Sequence, residues 1–405
     1  TASSHPLFYC QGGCYKKLEP QQKLKECLQA FSWSIGYIGL NECSLLMRKV
    51  GLDKDFNFAL EFLNHLNKRL EAYSQTYKMM FSLYGTPAES MTHKLIVKDR
   101  KKFGQIIGIT DKEYYTNSFH VDVKVKINAF QKIQQEQESF HLSKGGRITY
   151  SEFPNTRNTQ AIQQVCSFAM KAGLYWGVNI QLDQCNECGN TGEFFEHLCT
   201  QCKSTNIIEI SRVCGYIGFR RLDNKSRMNS GKQQEIEDRV DHFEKPIKEH
   251  DDAEIKDFDI NNGPGIRVSV WLSGCPHKCV GCHNQQLWEQ KLNEKINIPK
   301  IIENLSRQET EIGLSILGGE PLTKENYSKV LELCKAVREQ HMTCNKSIWL
   351  WTGYLYDDIK NRCHALLQLI DVVIDGRFVQ ELKDTELKYK GSKNQRVLDA
   401  KTGAV

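Results

Sequence analysis

Seven cysteines fall into two sets with the spacing of metal ligands. Gly274-Cys275-Pro276-His277-Lys278-Cys279-Val280-Gly281-Cys282 carries three of them as C-x-x-x-C-x-x-C. Thiolates hold iron–sulfur clusters, normally one for each iron. Three thiolates on a [4Fe-4S] cluster leave one iron open. That iron can chelate the amino and carboxylate groups of S-adenosylmethionine (SAM). An electron from the reduced cluster can then break the sulfonium C–S bond and release a 5′-deoxyadenosyl radical; the cofactors carry this chemistry and the protein positions them. A zinc ion with His277 or His283 as fourth ligand is the alternative use of the same cysteines. A second segment favours the cluster. In Leu317-Gly318-Gly319-Glu320-Pro321, the glycines permit close backbone approach to a ligand and Glu320 can bind an ammonium group. Both segments follow predicted strands, at the end where parallel α/β folds place their sites.

The second set is Cys185-Asn186-Glu187-Cys188 with Cys199-Thr200-Gln201-Cys202, two knuckles at zinc-ribbon spacing. Four thiolates close a tetrahedral Zn2+ site, which is structural rather than catalytic. A short segment with few apolar residues needs such a staple. The acidic neighbours Glu187, Glu193 and Glu196 count against phosphate contact and hence against direct nucleic-acid binding. Downstream lies Arg212-Val213-Cys214-Gly215-Tyr216. A backbone radical is tolerated at glycine because no side chain blocks a planar Cα, and the adjoining amide and carbonyl delocalise the electron. On its own Gly215 reads as a turn glycine. Its place between a ribbon and a radical generator makes it the candidate glycyl-radical site.

The elements that must position these residues show in the patterning. A chain of 405 residues predicts two or three domains. The formal charge of +5 is too small to argue for a nucleic-acid binder, and no apolar run approaches the roughly 20 residues that span a membrane. The start, Thr1-Ala2-Ser3-Ser4-His5-Pro6, has neither a signal-peptide pattern nor an initiator Met, which reads as a fragment or a processed product. Thiolate–metal sites fit a reducing cytoplasm. The isolated Cys27, Cys43, Cys166, Cys334, Cys344 and Cys363 read as small buried hydrophobes.

Leu63, Leu66, Leu70 and Tyr73 form a helical stripe, and Phe119 to Val125 alternates apolar and polar residues as a period-two strand. Gly85 and Gly145-Gly146 punctuate the region. The polar run after Arg221, with Gly231, suits a segment that opens at low cost. The charged stretch from Glu244 to Glu254 is the linker candidate. Beyond it, Val268–Leu272, Leu314–Leu317, Ile348–Trp351 and Val372–Ile374 are short apolar runs. Between them lie the helical stripes Ile298, Ile301, Ile302, Leu305 and Val330, Leu333, Cys334, Val337. That alternation predicts βαβ units and a parallel sheet.

Two resemblances give these patterns a family. Asn262-Gly263-Pro264-Gly265, the cysteine cluster, the Gly-Gly-Glu-Pro segment, Trp349-Leu350-Trp351-Thr352-Gly353-Tyr354, Asp375-Gly376-Arg377-Phe378 and Asn394-Gln395-Arg396 resemble the radical-SAM activase of anaerobic (class III) ribonucleotide reductase, over about residues 255–401. Ser34-Ile35-Gly36-Tyr37-Ile38-Gly39-Leu40-Asn41-Glu42, Leu83 to Ser90, Tyr114 to His120, the ribbon and the Arg212–Tyr216 segment resemble the C-terminal half of the reductase itself, over about residues 5–243. Together they imply an α/β chain. Residues 1–178 would be the C-terminal half of a ten-stranded glycyl-radical barrel, 179–208 a zinc ribbon and 209–245 a glycyl-radical loop domain. Residues 246–256 would be a linker and 257–405 a partial (βα) radical-SAM barrel.

The family's thiyl-radical cysteine and its nucleotide-binding regulatory domain lie upstream of the matched segment; Cys10 and Cys14 match a later region and do not replace that cysteine. The resemblance therefore implies a split, truncated or spliced reductase joined to its own activase. Its partners would be the N-terminal part of the reductase, a ribonucleoside triphosphate, formate or a thiol system as reductant, and a low-potential electron donor such as flavodoxin. A homodimer is left open. The alternative from another functional class keeps only the activase active, with residues 1–243 as a docking module for a separate complete reductase.

Overall fold

The computed structural model describes residues 2–11, 17–24, 31–194, 196–213, 216–223, 225–243, 254–291, 295–384 and 386–405. The chain divides into two compact units. One comprises Thr1–Ile127, Gln131–Tyr150 and Ala172–Val240; the other comprises Asn128–Phe130, Ser151–Lys171 and Asp241–Val405. The linker candidate from Glu244 falls outside the described residues up to position 253.

The first unit holds Leu40–Arg48 (α1), Asn57–Tyr77 (α2), Met91–Phe103 (α3) and most of Ala129–Leu142 (α4). Ser32–Gly36 (β1) and Met80–Tyr84 (β2) pair in parallel, Ser32 opposite Met80. The predicted stripe lies on α2, where Leu63 and Leu70 are buried while Tyr73 is exposed. The two glycine breaks meet each other. Gly85 N–H donates to Gly146 O at 2.9 Å and Gly145 N–H to Leu83 O at 2.6 Å. A Cβ on Gly145 would lie 2.7 Å from Leu83 O, so only glycine fits there.

Residues 119–125 are not a strand. The chain turns at Asp122, whose side chain accepts from Lys124 N–H and whose carbonyl accepts from Val125 N–H, both at 3.0 Å. The alternation is still buried, with Phe119 and Val121 inside. Glu136 on α4 takes the Val121 N–H and His120, so a side chain supplies what a neighbouring strand would have supplied.

Thr149–Phe153 (β3), Thr159–Lys171 (α5) and Trp176–Ile180 (β4) follow in sequence. Next come Leu182–Cys185 (β5), Thr191–Gly192 (β6), Ile207–Arg212 (β7), Ile217–Leu222 (β8) and Lys225–Ser226 (β9), an antiparallel sheet in the order β6-β5-β7-β8-β9. The polar run after Arg221 is anchored rather than loose. It contains Ser230–Glu237 (α6), capped by Asn229 at Lys232 N–H, 2.9 Å. Its buried Glu235 is paired with Lys232 and with Arg239.

The second unit carries a six-stranded sheet running in chain order. It comprises Glu254–Asp259 (β10), Ile266–Leu272 (β11), Ile312–Gly318 (β12), Ile348–Trp351 (β13), Val372–Asp375 (β14) and Arg396–Asp399 (β15). The four central strands pair in parallel and the two outer strands antiparallel. Ile298–Leu305 (α7), Lys324–Glu339 (α8), Tyr356–Ile359 (α9) and His364–Leu367 (α10) connect the central strands. Side chains Asn297 and Thr323 cap α7 and α8. Every residue of β11 is buried, as expected of a parallel strand covered on both faces. Arg267 lies within it, donating to Ser315 Oγ, Leu314 O and the Ser347 carbonyl and hydroxyl. Burial pushes its pKa down to about 9 against the opposing pull of Asp259 and Asp371. No helix among the described residues is long and apolar enough to cross a membrane.

Candidate metal centres

Strand register assembles the larger site. Leu272 at the end of β11 faces Gly318 at the end of β12, and Trp351 at the end of β13 faces Ile374 in β14. The cysteine loop after β11, the Gly-Gly-Glu turn, Thr352–Tyr354 and Gly376–Phe378 therefore leave the sheet at one end. There Cys275, Cys279, Cys282, Gly318, Gly319, Gly376 and Arg377 line one cavity of about 420 Å³. Trp271, Trp351 and Tyr389 wall it, and the Trp351 indole donates to Tyr389 O at 2.8 Å.

The paired glycines bring two backbones together. Gly319 N–H donates to Leu272 O at 2.6 Å and Glu320 N–H to Gly274 O at 2.8 Å. A Cβ on Gly318, whose φ is +116°, would lie 2.4 Å from Leu272 N; one on Gly319 would lie 2.6 Å from Gly274 O. The glycines thus press the β12 turn against the cysteine loop.

Glu320 does not present its carboxylate to the cavity. The residue is fully buried and both oxygens are taken. Oε1 accepts from Leu322 N–H at 2.9 Å and Thr352 Oγ1 at 2.8 Å. Oε2 accepts from Gly353 N–H at 2.8 Å and His277 Nε2 at 3.0 Å. His277 also meets the Tyr354 ring edge-on at 4.6 Å. Its Nε2 is thus committed to a carboxylate, and His283 is exposed. Sequence reasoning had no signal for this clamp, because its parts lie on three separate segments.

Burial pushes the Cys275 thiol up while the N–H groups of His277 and Lys278 pull it back; burial also pushes Cys279 up, against the N–H of Phe378. The two remaining motifs brace each other. Arg396 grips the buried Asp375 through both oxygens, at 3.0 and 2.5 Å. Asn394 donates to Arg377 O and Gln395 to Gly376 O. The indole N–H of Trp288, another lining residue, is buried without a partner among the described residues. Three thiols, a glycine edge and an unused donor on one cavity fit a polynuclear cluster with a polar ligand beside it.

The ribbon has a different geometry. The sulfurs of Cys185, Cys188, Cys199 and Cys202 all lie within 4.8 Å of one another. Cys185–Cys202 and Cys188–Cys199 are 3.5 and 3.6 Å apart, near the roughly 3.8 Å edge of a tetrahedron with Zn–S bonds of about 2.3 Å. Although burial opposes it, the N–H groups of Cys202 and Gln201 bring the Cys199 thiol down to about 6, favouring a thiolate. Among the described residues the local core is Cys185, Phe194, Cys199 and Ile207, so an ion fits as the staple. Cys214 and Gly215 lie outside the described residues; their neighbours Arg212 and Ile217 pair across β7 and β8.

A family model described as anaerobic ribonucleoside-triphosphate reductase matches residues 1–242. The chain belongs to that family. The anaerobic ribonucleoside-triphosphate reductase of Haemophilus influenzae is 35% identical over 252 residues, 59% of this chain and 35% of that protein. This chain thus spans about a third of the length of such relatives. A second model, a 4Fe-4S single cluster domain, matches residues 261–398. The anaerobic ribonucleoside-triphosphate reductase-activating protein of Vibrio cholerae is 42% identical over 145 residues, 34% of this chain and 90% of that protein. The C-terminal third accordingly belongs with the activating proteins. A solved anaerobic ribonucleotide reductase from Thermotoga maritima is 20% identical, covers 46% of this chain and 30% of its own, and has a TM-score of 0.38.

Two outcomes test the centres. Anaerobically reconstituted protein should hold four irons and one zinc for each chain. By metal analysis, Cys279→Ala should lose iron and keep zinc, and Cys199→Ala the reverse; joint loss in either variant contradicts two separate centres. Glu320→Ala leaves four buried donors without an acceptor. It should cost about 3 kcal/mol or more in denaturant unfolding and lower iron retention. A variant as stable and as iron-rich as the parent contradicts the clamp.

Proposed function

We propose that this chain is the glycyl-radical half of an anaerobic ribonucleotide reductase joined to its own radical-SAM activase. In this reading Cys275, Cys279 and Cys282 would hold a [4Fe-4S] cluster, and the backbone at Gly318 and Gly319 would help to bind SAM in the same cavity. Cys185, Cys188, Cys199 and Cys202 hold Zn2+, and Gly215 gives up a hydrogen atom. When bound, the cluster and SAM supply a one-electron cleavage that yields a 5′-deoxyadenosyl radical.

The chain's own residues do the rest. Glu320 acts as a positioning residue through His277, Thr352 and Gly353 rather than as a ligand for the SAM ammonium. Trp271, Trp351 and Tyr389 limit water beside the thiols, and Arg377 and Lys390 bring positive charge to a cavity that receives electrons. The observation that carries the reading is one cavity combining three thiols with the glycine edge, in a segment matching nearly all of an activating protein, downstream of a segment matching a reductase.

With the N-terminal part of the reductase, the system would reduce ribonucleoside triphosphates to deoxyribonucleotides. A low-potential donor such as flavodoxin would supply the electron. The parallel pair β1–β2 and the parallel strands β11 to β14 are consistent with half of a ten-stranded barrel and with a partial radical-SAM barrel.

A glycyl radical is cut by oxygen at its own position. Reduced protein given SAM and then air should yield two fragments whose new ends map near residue 215 by mass spectrometry, and Gly215→Ala should remain whole. Cleavage that persists in Gly215→Ala, or maps elsewhere, overturns the assignment.

A further inference from the structure

Residues 151–171 lie in the part matched by the reductase family, yet they fold with the second unit. Asn158, 4% exposed, makes contacts that a helix cap does not need. Its side-chain oxygen accepts from Ala161 N–H at 3.2 Å, the ordinary cap of α5. The same oxygen accepts from Gly265 N–H at 3.0 Å. Its amide nitrogen donates to the carbonyls of Ile260, Gly263 and Gly265 at 2.8, 3.0 and 2.8 Å. Nearly two turns further along α5, Gln164 accepts from Ile266 N–H at 2.9 Å and donates to Glu311 O at 2.6 Å.

These bonds reach the rim of the cysteine cavity. The turn that Asn158 fills contains Asn261 and Asn262, both of which line that cavity. Arg157, the adjacent residue, pairs with Glu386, next to the lining residues Leu387 and Tyr389. A second hollow of about 220 Å³ lies between Asn155–Asn158 and Ile260, Asn261 and Leu387–Tyr389. Two rim segments are therefore each held by one of two consecutive reductase-family residues. The exposed Arg157–Glu386 pair adds little energy. The buried Asn158, with every polar group satisfied, carries the hold.

We propose that residues 155–164 are a docking element by which the reductase-family part grips the 260–266 turn and so positions the rim of the cysteine cavity. Asn158 and Gln164 are its positioning residues, and their partner is the activating-protein turn beginning Asn262-Gly263-Pro264-Gly265. In the curated relatives the two families are separate proteins; here hydrogen bonds from Asn158 and Gln164 join them within a single unit.

Backbone hydrogen exchange on the full-length, metal-reconstituted chain tests this without recourse to activity. Asn158→Ala should speed exchange at Gly265 and Ile266 by roughly tenfold or more and leave the ribbon amides of Cys185 and Gly189 unchanged. Asn158→Asp separates the two roles: it keeps the cap but sets a carboxylate against three carbonyls, so docking requires that it behave like the alanine variant. Gln164→Ala, at a half-buried site, should speed Ile266 alone. Parent-like exchange in Asn158→Asp, an unchanged Gly265 in Asn158→Ala, or uniform acceleration across both units would overturn the proposal.

Discussion

The carboxylate of Glu320 is where three segments of the second unit meet. A buried carboxylate is costly unless each oxygen is hydrogen-bonded. Here the donors come from its own turn at Leu322, from the end of β13 at Thr352 and Gly353, and from His277 in the cysteine loop. None of these can shift without leaving a buried polar group unmatched. The position of His277 also fixes the loop between Cys275 and Cys279, so the thiol arrangement follows from the clamp. Gly353 belongs to the same constraint, since a Cβ there would lie 2.3 Å from His277.

Other buried polar groups extend that order outward. Arg267 ties β11 to β12 and to Ser347 ahead of β13. Asn326 on α8 donates to the carbonyls of Ser273 and Glu320, holding the cysteine loop and the glycine turn from behind. Asp375 and Arg396 lock β14 to β15. The site is thus braced by side chains that do not line its cavity. In the ribbon, with its very small core, the balance reverses: the metal would hold the protein rather than the protein the metal.

Much of this was legible in the sequence because it is local. Cysteine spacing, paired glycines and short apolar runs act within a few residues, and the four predicted runs became the four parallel strands. What was missed depends on distance or polarity. β10 and β15 are outer strands rich in charge, as edges tend to be, so no apolar run marked them. Residues 119–125 alternate as a strand would, but Asp122 bends the chain and Glu136 satisfies it. Glu320 reads from sequence as an ammonium ligand, whereas its hydrogen-bond partners lie 32 and 43 residues away at Thr352 and His277. Asn158 gave no sign at all, because its partner Gly265 is 107 residues on.

The central claim is that the radical generator and its target share this chain, and hydrogen transfer tests it most directly. Protein carrying α-dideuterated glycine would be reduced anaerobically with ordinary SAM and the nucleoside product weighed. The account predicts 5′-deoxyadenosine that has gained one deuterium, and unlabelled product from the Gly215→Ala chain. Product without deuterium from the parent chain, or deuterium gained equally by the Gly215→Ala chain, would contradict it.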